Sequence, residues 1–152
     1  MKILFVCTGN ICRSPLAEGI LKDKVKKRKI IAEIDSAGLE YFHVGDPPDK
    51  RAIEIAKKHN IDISHHRGRL FTTNDFTRFD KIFIMDPYHY TSLAGKAGND
   101  KEMEKVDYIM NVVYPGQNLY VLDPWYDGLE AFENVYKQLE EACEKIADWI
   151  SQ

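Results

Sequence analysis

Ile3-Leu4-Phe5-Val6-Cys7-Thr8-Gly9-Asn10-Ile11-Cys12-Arg13-Ser14-Pro15 is the stretch that decides the fold. The apolar run Ile3 to Val6 reads as a strand covered on both faces of a parallel sheet, and the Gly-containing stretch after it reads as a loop. Ser14-Pro15 then supplies an N-cap followed by proline at the first helical position. Leu16, Ala17, Ile20, Leu21 and Val25 continue at helical spacing up to the basic run Lys26-Lys27-Arg28-Lys29. That run suits the negative end of the helix as a solvated terminus, with substrate steering as the lesser alternative.

Working outward, a second strand is expected over Ile31 to Asp35, broken by Ser36-Ala37-Gly38 into a loop that runs through Gly45, Pro47 and Pro48. Ala52, Ile53 and Ala56 sit three to four apart and predict a helix from Asp49 to His59. Lys81 to Met85 is another buried-type strand, cut by Asp86-Pro87, and Tyr108 to Val113 is a weaker strand candidate. Leu129, Phe132, Tyr136, Leu139, Cys143, Ile146 and Ile150 mark one apolar stripe on a long final helix. Asp127 and Glu130 have capping-box spacing at its start. Strands alternating with helices imply a small doubly wound α/β domain: a four-stranded parallel sheet with helices on both faces, binding ligands beyond the carboxyl ends of its strands.

The 152 residues fit one domain, 1–152, without repeats or linkers. With 44% hydrophobic and 30% charged residues, the chain has the balance of a globular protein and not of a disordered or membrane-spanning one. A formal net charge of -3 gives no general attraction to polyanions, which argues against nucleic acid; phosphate must be bound by a local site. The N-terminal apolar run is too short for a signal-peptide core, and the odd set Cys7, Cys12 and Cys143 suits a reducing compartment, so a cytoplasmic monomer is expected. Cys143 falls on the apolar stripe and reads as core. His65 and His66 lack the spacing of a structural zinc site, and neither metal nor other cofactor is expected.

The loop between the first strand and helix carries the chemistry. Five residues between Cys7 and Arg13 are enough for the backbone to wrap a tetrahedral oxyanion, with N–H groups pointing inward above a helix N-terminus. Thr8, Gly9, Asn10, Ile11, Cys12, Arg13 and Ser14 would line that cup. Gly9 and Asn10 tolerate the left-handed backbone angles that a tight wrap needs. The same positive surroundings lower a cysteine pKa from its free value of about 8.5, making Cys7 a thiolate nucleophile towards phosphorus. Arg13 offers a planar fork for two equatorial oxygens, and Ser14 can donate a hydrogen bond to the sulfur.

The segment Val6 to Glu18 resembles the active-site motif of the low-molecular-weight protein tyrosine phosphatases, Val-Cys-x-Gly-Asn-x-Cys-Arg-Ser-Pro-x-Ala-Glu, at every defined position. The likeness extends over Asp35-Ser36-Ala37-Gly38, His66 with Arg69, Met85-Asp86 and Asp123-Pro124-Trp125-Tyr126. It implies hydrolysis of phosphotyrosine in proteins through a cysteinyl-phosphate, with phosphate or vanadate binding in the loop. It further implies that Ser36 steadies Asn10, that His66 supports the site by a hydrogen bond, and that Cys12 forms a protective disulfide with Cys7 on oxidation; otherwise Cys12 is a small buried residue.

Asp123 is the expected proton donor to the departing oxygen, a role that contributes on the order of 10²- to 10⁴-fold, and its aromatic neighbours are expected to limit its solvation. Asp86-Pro87-Tyr88 is an acid motif of the same sort, but it follows a strand directly and matches the family's structural aspartate. Trp125 and Tyr126, with Phe42 opposite, resemble the family's aromatic walls, and flat walls select an aryl leaving group. Tyr41 is the alternative wall. Two related activities compete. Thioredoxin-coupled arsenate reductase shares the fold and loop but passes oxidation to further cysteines after the third strand, and Phe83 to Leu93 contains none. Protein-arginine phosphatase carries Thr in place of Ile11 and Asp-Pro-Phe-Gly in place of Asp-Pro-Trp-Tyr.

Overall fold

The computed structural model describes residues 1–152. Strands β1 (Lys2–Cys7), β2 (Glu33–Gly38), β3 (Lys81–Ile84) and β4 (Val106–Tyr108) form one parallel sheet in the order β2-β1-β3-β4. Helices α1 (Arg13–Lys27), α2 (Lys50–Lys58), α3 (Asp75–Arg78), α4 (Pro87–Lys96), α5 (Asp100–Met103) and α6 (Leu129–Ile150) complete the chain. The expected architecture is present, including helices on both faces.

Alternation along β1 assigns the two cores. Ile3, Phe5 and Cys7 face α1, α2 and α6 in the larger core, while Leu4 and Val6 pack with Phe76 of α3 and Leu93 of α4. β3 repeats the pattern, with Phe83 stacked on Phe5 at 5.9 Å and Ile82 and Ile84 on the other face. Cys143 is fully buried against α1, its thiol 3.6 Å from the Ala17 carbonyl. The basic end of α1 is not simply solvated: Lys24 pairs with Glu140 and Glu144, and Arg28 with Glu144 and Asp148, all on α6.

Five expectations are corrected. β2 extends to Gly38, because the ladder with the central strand continues through Cys7↔Gly38 and overrides the weak strand preference of Ser36-Ala37-Gly38. The fourth strand is Val106–Tyr108 and shares only Tyr108 with the segment expected to form it, because Ile109–Val112 turns into a 3₁₀ helix that buries Ile109 and Met110. Helix α1 begins at Arg13 with Cys12 as N-cap, so Ser14 lies inside the first turn with its hydroxyl on the cysteine loop. Helix α6 starts after Gly128 with no side-chain cap, and Leu129 stays 45% exposed, so the stripe begins in practice at Phe132. In α2 the buried isoleucine is Ile55, beside the expected Ala52 and Ala56, with Ile53 half-buried, and Asp49 caps the helix by accepting from the Arg51 N–H.

Candidate active site

β1 ends at Cys7 and α1 begins at Arg13, so the loop between them sits at the carboxyl edge of the sheet's central strand. Cys7 and Arg13 are each only 2% exposed. The backbone N–H groups of Thr8 through Ser14 take no partner within the chain and are available as donors, the property of an anion cup. Of the two residues expected to need left-handed angles, only Asn10 does, at φ 59°. Gly9 is required for closeness instead: a Cβ there would meet the His43 ring at 3.1 Å.

A buried polar network fixes the cup. Asn10 donates both to Ser14 Oγ (2.8 Å) and to Ser36 Oγ (3.0 Å), and the Ser36 hydroxyl in turn donates a hydrogen bond to Glu18 Oε1. Because Ser14 Oγ accepts from Asn10, its hydrogen is free for Cys7 Sγ, 2.9 Å away. The Asn10 carbonyl side accepts from the Arg69 N–H at 3.1 Å and from His66 Nε2 at 3.2 Å. His66 also touches the Asn10 main-chain oxygen; both partners are acceptors, so Nε2 carries the proton. Burial holds His66 below its usual range against the opposing pull of Glu18. No buried side-chain polar atom lacks a partner.

Arg13 is aimed from behind. Its Nη1 donates to Asp86 Oδ2 (2.9 Å) and to the Val121 carbonyl (2.8 Å), leaving Nη2 beside Thr8 Oγ1 (3.4 Å) and Asp123 Oδ2 (3.7 Å). Burial works to raise Asp86, but His89 and Arg13 outweigh it and hold its carboxyl below the usual range, which is wrong for a proton donor. His89, fully buried, accepts the Met85 N–H on Nδ1, so its Nε2 donates to Thr8 Oγ1 at 3.1 Å. Burial, reinforced by Arg13 and opposed by Asp86, pulls His89 down to about 4.

A cleft of about 180 Å³ opens over Cys7, Ile11, Cys12 and Arg13, walled by Phe42, Trp125 and Tyr126, with Asp123 on its rim. Phe42 lines it and Tyr41 does not; Tyr41 stacks behind Phe42 at 4.7 Å. Asp123 accepts the Trp125 N–H on Oδ1 at 3.0 Å. The expected shielding of Asp123 by its aromatic neighbours is absent, since its side chain is 46% exposed and Tyr126 is 91% exposed. Burial pushes the Cys12 thiol up, and neighbouring Cys7 adds to the effect. His43, tilted against Trp125 at 5.6 Å, and Glu40 also line the cleft. Both lie in the long loop after β2, where no motif singled them out.

The four-stranded parallel sheet and the thiol–guanidinium loop at its first crossover define the class: a doubly wound α/β protein with a Cys-x5-Arg anion-binding loop. The chain belongs to the low molecular weight phosphotyrosine protein phosphatase family, which it matches over residues 2–152. A Schizosaccharomyces pombe protein of that name is 38% identical over 142 residues, 91% of this chain and 90% of its own length. A protein tyrosine phosphatase from Entamoeba histolytica, solved with Hepes in its active site, superposes with a TM-score of 0.91 at 32% identity, covering 99% of this chain and 97% of that one. A Drosophila arginine phosphatase superposes equally well, with a TM-score of 0.91 at 34% identity over 100% and 99% of the two chains. Membership makes the chain a hydrolase of protein-bound phosphate. No helix is long and apolar enough to cross a membrane.

Proposed function

We propose that the chain, as a single domain over 1–152, hydrolyses phosphotyrosine in proteins through a covalent phosphate ester of Cys7. The observation that carries this reading is the Cys7 sulfur at the floor of an aromatic-walled cleft, hydrogen-bonded by Ser14 beside the free edge of Arg13. Cys7 attacks phosphorus as its thiolate, forming the S–P bond as the bond to the phenolic oxygen breaks. Asp123 delivers its proton to that oxygen, so tyrosine leaves neutral. Arg13 Nη2 and the loop N–H groups of Thr8, Gly9, Asn10, Ile11, Cys12 and Ser14 hold the equatorial oxygens as their charge redistributes. In the second half, the Asp123 carboxylate takes a proton from water as the water oxygen bonds phosphorus. Cys7 leaves as the thiolate, supported by the Ser14 hydroxyl.

Phe42, Trp125 and Tyr126 supply flat contact for an aryl group, and Ile11 presents an apolar side chain to the cleft. Three free, buried cysteines support a cytoplasmic setting, and the chain acts there as a monomer. The test is hydrolysis of p-nitrophenyl phosphate, with vanadate as inhibitor. Cys7→Ser is expected to abolish turnover, and Asp123→Ala to lower kcat by about 10²-fold or more while changing KM far less. Turnover by Cys7→Ser would end the mechanism, and equal efficiency on phosphoarginine would end the aryl preference.

A further inference from the structure

Arg51 joins the two halves of the site. Its guanidinium and Nε grip both oxygens of Asp49, Nε to Oδ1 at 3.0 Å and Nη2 to Oδ2 at 2.9 Å. Asp49 is in turn fixed to the phosphate loop, its N–H donating to the Ile11 carbonyl at 2.8 Å. From that anchor the guanidinium reaches across to the loop that carries Asp123. Nη1 donates to the Asp127 carbonyl at 2.7 Å and Nη2 to the Trp125 carbonyl at 2.9 Å. The Phe132 ring lies 4.5 Å from the guanidinium carbon, and that of Trp125 5.8 Å.

These two bonds matter because the loop has little else. Residues 122–127 receive hydrogen bonds from other parts of the chain only through Arg51; the Trp125 and Asp127 N–H groups are spent within the loop, on Asp123 Oδ1 and the Pro124 carbonyl. Trp125 is therefore gripped on both sides. Its carbonyl is held by Arg51, and its N–H holds one oxygen of Asp123, which leaves Oδ2 on the side of Arg13. The acid's position over the cup is thus set from α2, through a planar, rigid cation that a lysine cannot imitate.

We propose that Arg51 is the positioning residue for the proton-donation step: it registers the Asp123 loop against the phosphate loop so that the carboxyl meets the leaving oxygen. This rests on Asp123 being the proton donor. Without Arg51 the loop loses the two hydrogen bonds that hold its far side to α2, while Val121 stays bonded to Arg13 and Met85, and a carboxyl held from one side only spends less time within reach of the leaving group.

The experiment compares Arg51→Ala in the wild-type and Asp123→Ala backgrounds, using p-nitrophenyl phosphate and phenyl phosphate, whose poorer leaving group needs the proton more. Arg51→Ala is expected to lower kcat on phenyl phosphate by about tenfold or more, and on p-nitrophenyl phosphate less. Vanadate inhibition should stay within about twofold, because the cup itself is untouched. In the Asp123→Ala background the same change should slow turnover by less than about twofold, since the step it serves is already lost. Arg51→Lys keeps the charge and the stem over Phe132, and should show the same leaving-group dependence in weaker form; it carries the test if the alanine variant does not fold. Equal slowing in both backgrounds, equal slowing of both substrates, or no slowing overturns the proposal. Normal turnover of phenyl phosphate by Asp123→Ala alone would instead remove the acid assignment beneath it.

Discussion

Arg13 and Asp86 form a partly buried ion pair, Nη1 to Oδ2 at 2.9 Å, that spends one edge of the guanidinium on the protein and turns the other to the cleft. Asp86 also caps α4 by accepting the His89 N–H, so the pair is anchored to a helix. Asp86→Asn keeps the shape and removes the charge. A charge-assisted bond contributes about 1.5–3 kcal/mol, so kcat/KM on p-nitrophenyl phosphate should fall by roughly ten- to hundredfold, with weaker inhibition by phosphate. An unchanged inhibition constant would show that Asp86 does not aim Arg13.

Asn10 holds the loop by backbone and side chain together. Asn10→Ala would leave a left-handed backbone on a residue that resists it and strip partners from Ser14, Ser36, His66 and the Arg69 N–H. Urea unfolding should show a loss of about 2–4 kcal/mol, with turnover falling as Ser14 loses its orientation. Ser36→Ala, which removes one link of the same network, should lose about 1 kcal/mol.

His89 makes stability depend on pH. The unfolded chain protonates this imidazole near its usual value of about 6.5, and the folded chain only near 4, because burial and Arg13 disfavour the cation. Protonation therefore favours the unfolded state throughout that window: the stabilisation is complete above about 6.5 and is lost as pH falls towards 4. His66 is shifted in the same direction and adds to the slope. His89→Asn should flatten the decline of Tm between pH 6.5 and pH 4, and an unaltered slope would rule out His89 as its source.

Cys12, buried and held protonated, sits on the same loop as Cys7. We propose that peroxide oxidises Cys7 to a sulfenic acid and that attack by the Cys12 thiol then releases water and leaves a disulfide that dithiothreitol can reduce. Cys12→Ser should recover a much smaller share of its own starting activity after peroxide and dithiothreitol than the wild type does. Equal recovery would mean that Cys12 gives no protection.

The part of the site nearest to β1 was legible because one short segment encodes it. Strand, turn and helix signals flank Cys7 and Arg13, and a local motif needs no tertiary knowledge. The expectation for Ser14 followed from that segment and those for Ser36 and His66 from the family likeness farther along the chain, and the structure brings all three to Asn10 or to the sulfur. What stayed hidden came from distant pairings. Arg51 reads as one more polar residue of an amphipathic helix, and only folding brings it to the carbonyls of Trp125 and Asp127. His89 likewise meets its partner Thr8 only through folding, 81 positions away in sequence. The missed end of β2 and the misplaced β4 share that origin, since a parallel neighbour sets where a ladder runs.

The walls of the cleft stand largely in solvent: Phe42 is 69% exposed and Tyr126 carries almost no packing at all. Chemistry and recognition are therefore built from materials of different tolerance. Changes at those two rim positions should leave melting behaviour nearly untouched while altering which peptides are accepted, so a library varied there would explore new preferences on an unaltered reaction centre.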